Sequence, residues 1–313
     1  MSLSSVASKI FTSALAGVAL AAGTMIAPAA VNAAEAHRSV DIAVTAHRGA
    51  SAYAPENTLA AFALGIRQRA DWIESDVQAT KDGKLVLIHD TTLARTTDVE
   101  QRFPGRSPWN VRDFTLAEIK TLDAGSWFSK KYAGARVPTL KEMIVAVGLS
   151  PSGIRMELKS PALYPGIEKA VAATFDSLPG FVRTAVATGR IAVQSFDFGS
   201  MKTYKKIQPE VPVGLLGKPA YTALDDYTWA DEINPTHSAV DASYVARVHR
   251  LGMHIHAWTV DDAAAMRRVL DRGVDGVITN HPDVLREVIA EGRASKRHSS
   301  FTAPRAGGLP EPV

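Results

Sequence analysis

Between residues 42 and 291 the chain alternates short apolar runs with amphipathic stretches, and that rhythm confines it to a sheet whose strands are joined by helices. Residues 42–45 read as a strand. Residues 56–69 read as a helix, with Leu59, Phe62, Ala63 and Ile66 recurring at helical spacing. Strands over 72–77 and 85–88 flank Lys81-Asp82-Gly83-Lys84, a hairpin-like turn. Further on, helices are expected at 139–147, 166–175, 198–207, 242–251, 262–272 and 283–291. Strands are expected at 154–158, 191–193, 213–216, 232–234, 253–257 and 276–279. The count and order predict a mostly parallel sheet closed into a (β/α)8 TIM barrel, in the α/β class. An open doubly wound sheet is the alternative, but its dinucleotide-binding form should carry a G-x-G-x-x-G turn, and the chain has none.

One stretch breaks the rhythm. Residues 91–138 carry Pro104-Gly105, Ser107-Pro108, Gly125 and Gly134 together with Trp109, Phe114, Trp127, Phe128 and Tyr132. That is too long and too aromatic for a plain loop, and it reads as an insertion after an early strand. The chain's 313 residues suit one barrel, taken here as 37–293, and show no internal repeat. The net charge of +3 comes without a dense basic stripe, and the basic residues from Arg293 to Arg297 sit in a polar stretch. Nucleic acid is therefore not expected as a partner, and 294–313 reads as a disordered tail. Residues 1–36 have the pattern of a secretory signal peptide. A short polar start with Lys9 precedes an Ala-rich apolar run, and small residues follow at Val31/Ala33 and Ala34/Ala36. Pro28 ends that run and no strong positive cluster follows, so cleavage near 33–36 is expected rather than a stable membrane anchor. The expected location is outside the cytoplasm, either secreted or in the cell envelope. With no cysteine, export would add no disulfides.

Ionisable residues gather where the apolar runs stop. Ile42-Ala43-Val44 leads to His47 and Arg48, Trp72-Ile73 to Glu74 and Asp76, Leu87-Ile88 to His89, and the run from Ile154 to Glu157 and Lys159. In a barrel the C-terminal strand ends build the active site. Glu74 and Asp76, two apart on one strand, share a face. With Glu157 they form an oxygen-rich set for Ca2+ or Mg2+. His47 and His89 can divide acid and base work between them, and Arg48 and Lys159 offer positive charge to a phosphate. The other histidines read as structural or solvated. No serine stands in a Gly-x-Ser-x-Gly setting, so the inventory favours phosphoryl chemistry over acyl transfer.

Several motifs then follow in order: His47-Arg48-Gly49, Pro55-Glu56-Asn57-Thr58, Glu74-Ser75-Asp76, His89-Asp90, Glu157-Leu158-Lys159, Gln194-Ser195-Phe196, Trp258-Thr259-Val260 and Gly273-Val274-Asp275-Gly276. Through these, the chain resembles the glycerophosphodiester phosphodiesterase family from about residue 43 to 285. Leu122-Asp123-Ala124-Gly125-Ser126-Trp127-Phe128 and Val137-Pro138-Thr139-Leu140 also resemble that family's insertion. The resemblance implies a barrel hydrolase that splits a small glycerophosphodiester into glycerol 3-phosphate and an alcohol. It also implies a divalent metal on Glu74, Asp76 and Glu157, acid–base histidines at His47 and His89, and Phe196 and Trp258 against the glycerol carbons. Ser75 and Asn280 depart from the family pattern, at positions where an apolar residue and an aspartate are common. Two other readings compete. One is a phospholipase D-like enzyme acting on lysophospholipids or sphingomyelin, with the aromatic insertion lining an apolar mouth. The other is a silent binding protein on the same barrel, which would be expected to lack a histidine or carboxylate that this chain keeps.

Overall fold

A computed structural model of the protein describes the backbone of residues 42–301 and the side chains of 42–294. The expected signal peptide and residues 302–313 lie outside the described residues. Among the described residues nine strands form one sheet: β1 (Ala43–Ala46), β2 (Trp72–Ala79), β3 (Leu85–Leu87), β4 (Gly153–Leu158), β5 (Ile191–Ser195), β6 (Val213–Leu216), β7 (Glu232–Asn234), β8 (His254–Ala257) and β9 (Gly276–Thr279). Eight of them run parallel in the order β1-β2-β4-β5-β6-β7-β8-β9, and pairing of β1 with β9 closes the ring. The chain is thus a TIM barrel, as its alternation predicts. β3 lies outside the ring. It pairs antiparallel with the far end of β2, Val77 opposite Leu87, and so carries His89 back toward the barrel mouth.

Helices α1 (Leu59–Arg67), α2 (Val99–Arg102), α3 (Leu116–Ile119), α4 (Leu140–Gly148), α5 (Ile167–Asp176), α6 (Phe181–Ala187), α7 (Phe198–Ile207), α8 (Ala242–Arg250), α9 (Ala263–Asp271) and α10 (Pro282–Phe301) complete the fold. Local chemistry sets their starts. Thr58 caps α1 by accepting from the Ala61 amide, and Thr139 forms a capping box with Glu142 at α4. Asp197, Asp241 and Asp262 cap α7, α8 and α9. Buried apolar side chains such as Phe62, Ile73, Phe175 and Tyr204 fill the layer between strands and helices. The 91–138 segment holds its own smaller core, with Leu93, Val99, Val111, Phe114, Ile119 and Leu122 packed on Val86 and Ile88 of the β3 region. It is a folded insertion.

Four features differ from the sequence reading. α1 starts after Thr58 rather than at Glu56, because Glu56 and Asn57 turn into the mouth. α6 is an additional helix, and the β6–β7 connection is a run of 3-10 turns over Tyr221–Tyr227. α10 continues past Glu291 to Phe301, into the stretch expected as a tail. Among the described residues no helix is long and apolar enough to cross a membrane.

Candidate active site

Three carboxylates converge at the C-terminal end of the barrel. Glu74 and Asp76 point to one face of β2, and the parallel register sets Asp76 beside Glu157 of β4. One carboxylate oxygen from each lies within 4.8 Å of the others, and all three residues are buried. Their partners leave part of each unsatisfied. Glu74 Oε2 accepts the Arg48 backbone N–H at 2.7 Å, while its Oε1 has no hydrogen-bond partner. Asp76 Oδ2 accepts from Asn57 Nδ2 at 2.9 Å and lies 3.4 Å from Arg48 Nε, while its Oδ1 accepts no hydrogen bond. Glu157 Oε1 accepts from Lys159 Nζ at 2.8 Å.

Burial and the neighbouring carboxylates push Glu74 well above the usual carboxylate range, and Glu157 up to about 7. Burial also works against Asp76, but Arg48, Lys159 and His89 outweigh it and hold that carboxyl below its ordinary value. Buried, mutually repelling carboxylates with orphaned oxygens are a donor set that suits a hard divalent cation.

Both histidines lie close enough to Asp76 to exchange electrostatic influence with it. His47 Nδ1 meets Asn280 Oδ1 at 2.7 Å. That oxygen also accepts from Ser51 Oγ, and the Asn280 amide is oriented by donating Nδ2–H to Asp261 at 2.6 Å. Oδ1 can only accept, so the proton belongs on His47 Nδ1 and Nε2 keeps its lone pair. Desolvation, with the Arg48 charge beside it, brings the imidazole down to about 4. His89 Nδ1 meets Asp90 Oδ1 at 2.7 Å, which likewise leaves its Nε2 free. Gln78 on β2 donates to the backbone carbonyls of Ile88, His89 and Asp90 and fixes that turn.

Arg48 adopts a left-handed φ of 56° at the end of β1 and donates Nη1–H to Glu56 at 2.9 Å. Lys159 Nζ lies 5.7 Å from the Phe196 ring centroid, and Phe196 meets Trp258 edge to face at 5.3 Å. Trp258 is fixed through its indole N–H to the Asn234 carbonyl. Phe196 is 53% exposed, so it borders the mouth rather than packing inside the barrel. An open cleft of about 500 Å³ runs from Glu157 and Lys159 past Pro161, Phe196 and Asp197.

The fold therefore brings together every residue singled out from the sequence: His47, Arg48, Glu74, Asp76, His89, Glu157, Lys159, Phe196 and Trp258. Their holders went unnoticed. Asn57, Asp90 and Asn280 each touch a site residue; Asn57 and Asp90 stand in motifs already quoted, and Asn280 is the position noted as departing from the family pattern. Gln78 is two residues from Asp76 on the same strand face, a spacing that could have flagged it.

Residues 47–284 match the Glycerophosphoryl diester phosphodiesterase family. The chain is 37% identical over 262 residues to a glycerophosphodiester phosphodiesterase of Bacillus subtilis, covering 79% of this chain and 86% of that protein. It is 38% identical over 255 residues to one from Caldanaerobacter subterraneus subsp. tengcongensis, covering 80% and 98%. Its barrel is similar, at a TM-score of 0.69 and 29% identity, to an Oleispira antarctica phosphodiesterase solved in complex with sn-glycerol-3-phosphate. That match covers 79% of this chain and 96% of the other. With the barrel, the motifs and these relatives in agreement, the chain belongs to the glycerophosphoryl diester phosphodiesterase family and is an enzyme of that kind.

Proposed function

We propose that the protein is an exported, divalent-cation-dependent hydrolase that converts a glycerophosphodiester to glycerol 3-phosphate and a free alcohol. The observation that carries this reading is the buried triad Glu74, Asp76 and Glu157, beside two histidines each held through Nδ1 so that Nε2 is left for the substrate. Glu74, Asp76 and Glu157 would hold Ca2+ or Mg2+, which when bound supplies charge to the phosphate and lowers the pKa of a nearby glycerol hydroxyl. Arg48 and Lys159 bind phosphate oxygens and offset their charge. His47, neutral and protonated on Nδ1, takes the hydroxyl proton on Nε2. As the glycerol oxygen bonds to phosphorus, His89 delivers a proton from Nε2 to the departing alcohol oxygen and the old P–O bond breaks. Water then opens the resulting cyclic phosphate, with the two histidines exchanging roles, to give glycerol 3-phosphate. This division follows from their partners. An acid that must carry a proton into the step sits better beside anionic Asp90 than beside the neutral Asn280 amide. Phe196 and Trp258 give the glycerol carbons an apolar wall, and the cleft beyond Lys159 leaves room for the alcohol.

Purified protein should release glycerol 3-phosphate from glycerophosphocholine, lose that activity in EDTA, and regain it with Ca2+ or Mg2+. No release at saturating cation would overturn the activity. Undiminished release after exhaustive chelation would overturn the cation. Export rests on the pattern of residues 1–36. N-terminal sequencing of protein from the culture medium or cell envelope should find a start between 34 and 37, and an intact Met1 there would refute cleavage.

A further inference from the structure

Arg95 lies in the insertion, outside the motifs that mark the site, and its side chain is 43% exposed. An arginine that open to water normally contributes little through its ion pairs. This one makes four hydrogen bonds to two carboxylates. Its Nε and Nη2 fork onto Asp90 at 2.6 and 3.0 Å, and its Nη1 and Nη2 fork onto Glu56 at 2.9 and 2.7 Å. Each carboxylate in turn holds a working group. Asp90 meets His89 Nδ1 at 2.7 Å, and Glu56 accepts from Arg48 Nη1 at 2.9 Å. Both anions accept from the same Nη2, so they stand side by side with the Arg95 guanidinium offsetting their mutual repulsion. Without it they would repel, drawing Asp90 away from His89 and Glu56 away from Arg48.

We propose that Arg95 is a positioning residue of the reaction. From the insertion it clamps Asp90 to Glu56, and so aligns the proton-donating ring of His89 with the phosphate-binding guanidinium of Arg48. The inference rests on the catalytic reading above and deepens it. The barrel alone does not complete the site, because one end of this clamp belongs to the 91–138 segment. Lysine can replace arginine only in part here, since the three donors of an ammonium cannot make the four hydrogen bonds of this double fork.

The test compares wild type, Arg95→Met and Arg95→Lys, each saturated with divalent cation, on two substrates. One is glycerophosphocholine, whose alcohol needs a proton to leave. The other is the p-nitrophenyl ester of glycerol phosphate, whose leaving group does not. Arg95→Met should lose about 10–100-fold in kcat on glycerophosphocholine, the range seen when an outer partner of a site is removed. It should keep most of its kcat on the nitrophenyl ester, with KM raised on both through Arg48. Arg95→Lys should fall between. Wild-type kcat for Arg95→Met on glycerophosphocholine, or an equal kcat loss on both substrates, overturns the proposal. If Arg95→Met does not fold, Arg95→Lys on the same two substrates decides by the same criterion. Wild type inactive on both substrates would instead sink the functional reading on which the clamp depends.

Discussion

Glu74 and Glu157 resist ionisation because burial and neighbouring carboxylates both oppose their charge. A cation entering this site displaces protons, so its affinity should rise with pH until both groups are ionised. Because binding to the folded state stabilises it, the effect reads out as melting temperature. The gap between melts in excess Ca2+ and in EDTA should widen from about pH 5 to pH 8. His47 and His256, both brought down to about 4 chiefly by burial, favour the folded state above the ordinary histidine value of 6.5 and lose that contribution in acid. They shift both melts together, so the gap reads the carboxylates. A gap of equal size at both ends of the range would mean that these residues are not the ligands. The residues that bear charge into the mouth were legible in the sequence because they end apolar runs. Their holders were not. Asn280 meets His47 across 233 positions, and no local pattern announces a hydrogen bond of that range.

At the scale of elements, the β1–α1 loop concentrates the strain. Arg48 and Asn57 both take left-handed φ values near 55°, a conformation that non-glycine residues seldom adopt, and both contact Asp76. Gly49, at φ 82°, lets the loop press onto α1, where an added Cβ would stand 2.7 Å from the Ala61 Cβ. Gly49→Ala should therefore cost about 1–3 kcal/mol of stability. It should also lower activity by more than that loss explains, because the loop that aims Arg48 at the phosphate must shift. Urea unfolding and kcat/KM on one preparation check both, and unchanged stability would show that the loop has slack. Strand and helix alternation made most elements legible. The start of α1 was misplaced because Glu56 and Asn57, which fit a helix by composition, are held in the mouth by Arg48, Arg95 and Asp76. The insertion was visible as a break in rhythm, but not as a folded unit, since its core forms only when Leu93, Phe114 and Ile119 close on the β3 region.

Across the whole molecule, the space inside the ring is polar where the surrounding layer is apolar. Arg155, fully buried on β4, forks onto Glu232 of β7, which also accepts from Asn234, and Asn234 Nδ2 reaches Gln194 of β5. Gly214 and Gly276 leave room for this network; a Cβ on Gly214 would come within 2.6 Å of Asn234 Nδ2. Sequence reading could not see it, because each member looks like an isolated polar residue in a short strand. Burial works against Glu232, but Arg155 and His256 outweigh it and hold its carboxyl at about 2. That contribution is present above the ordinary carboxylate range and lost as pH falls toward 2. Arg155→Met would leave a buried carboxylate without its counter-charge and should cost about 3–5 kcal/mol at neutral pH. Replacing both partners, Arg155→Met with Glu232→Leu, removes the charge along with its need for a partner. The double variant should recover much of the loss and be less sensitive to acid than wild type. Urea unfolding at about pH 7 and pH 4 measures each step of the cycle. A double variant no more stable than Arg155→Met would show that the barrel interior needs the shape and hydrogen bonds of this pair rather than the balance of its charges.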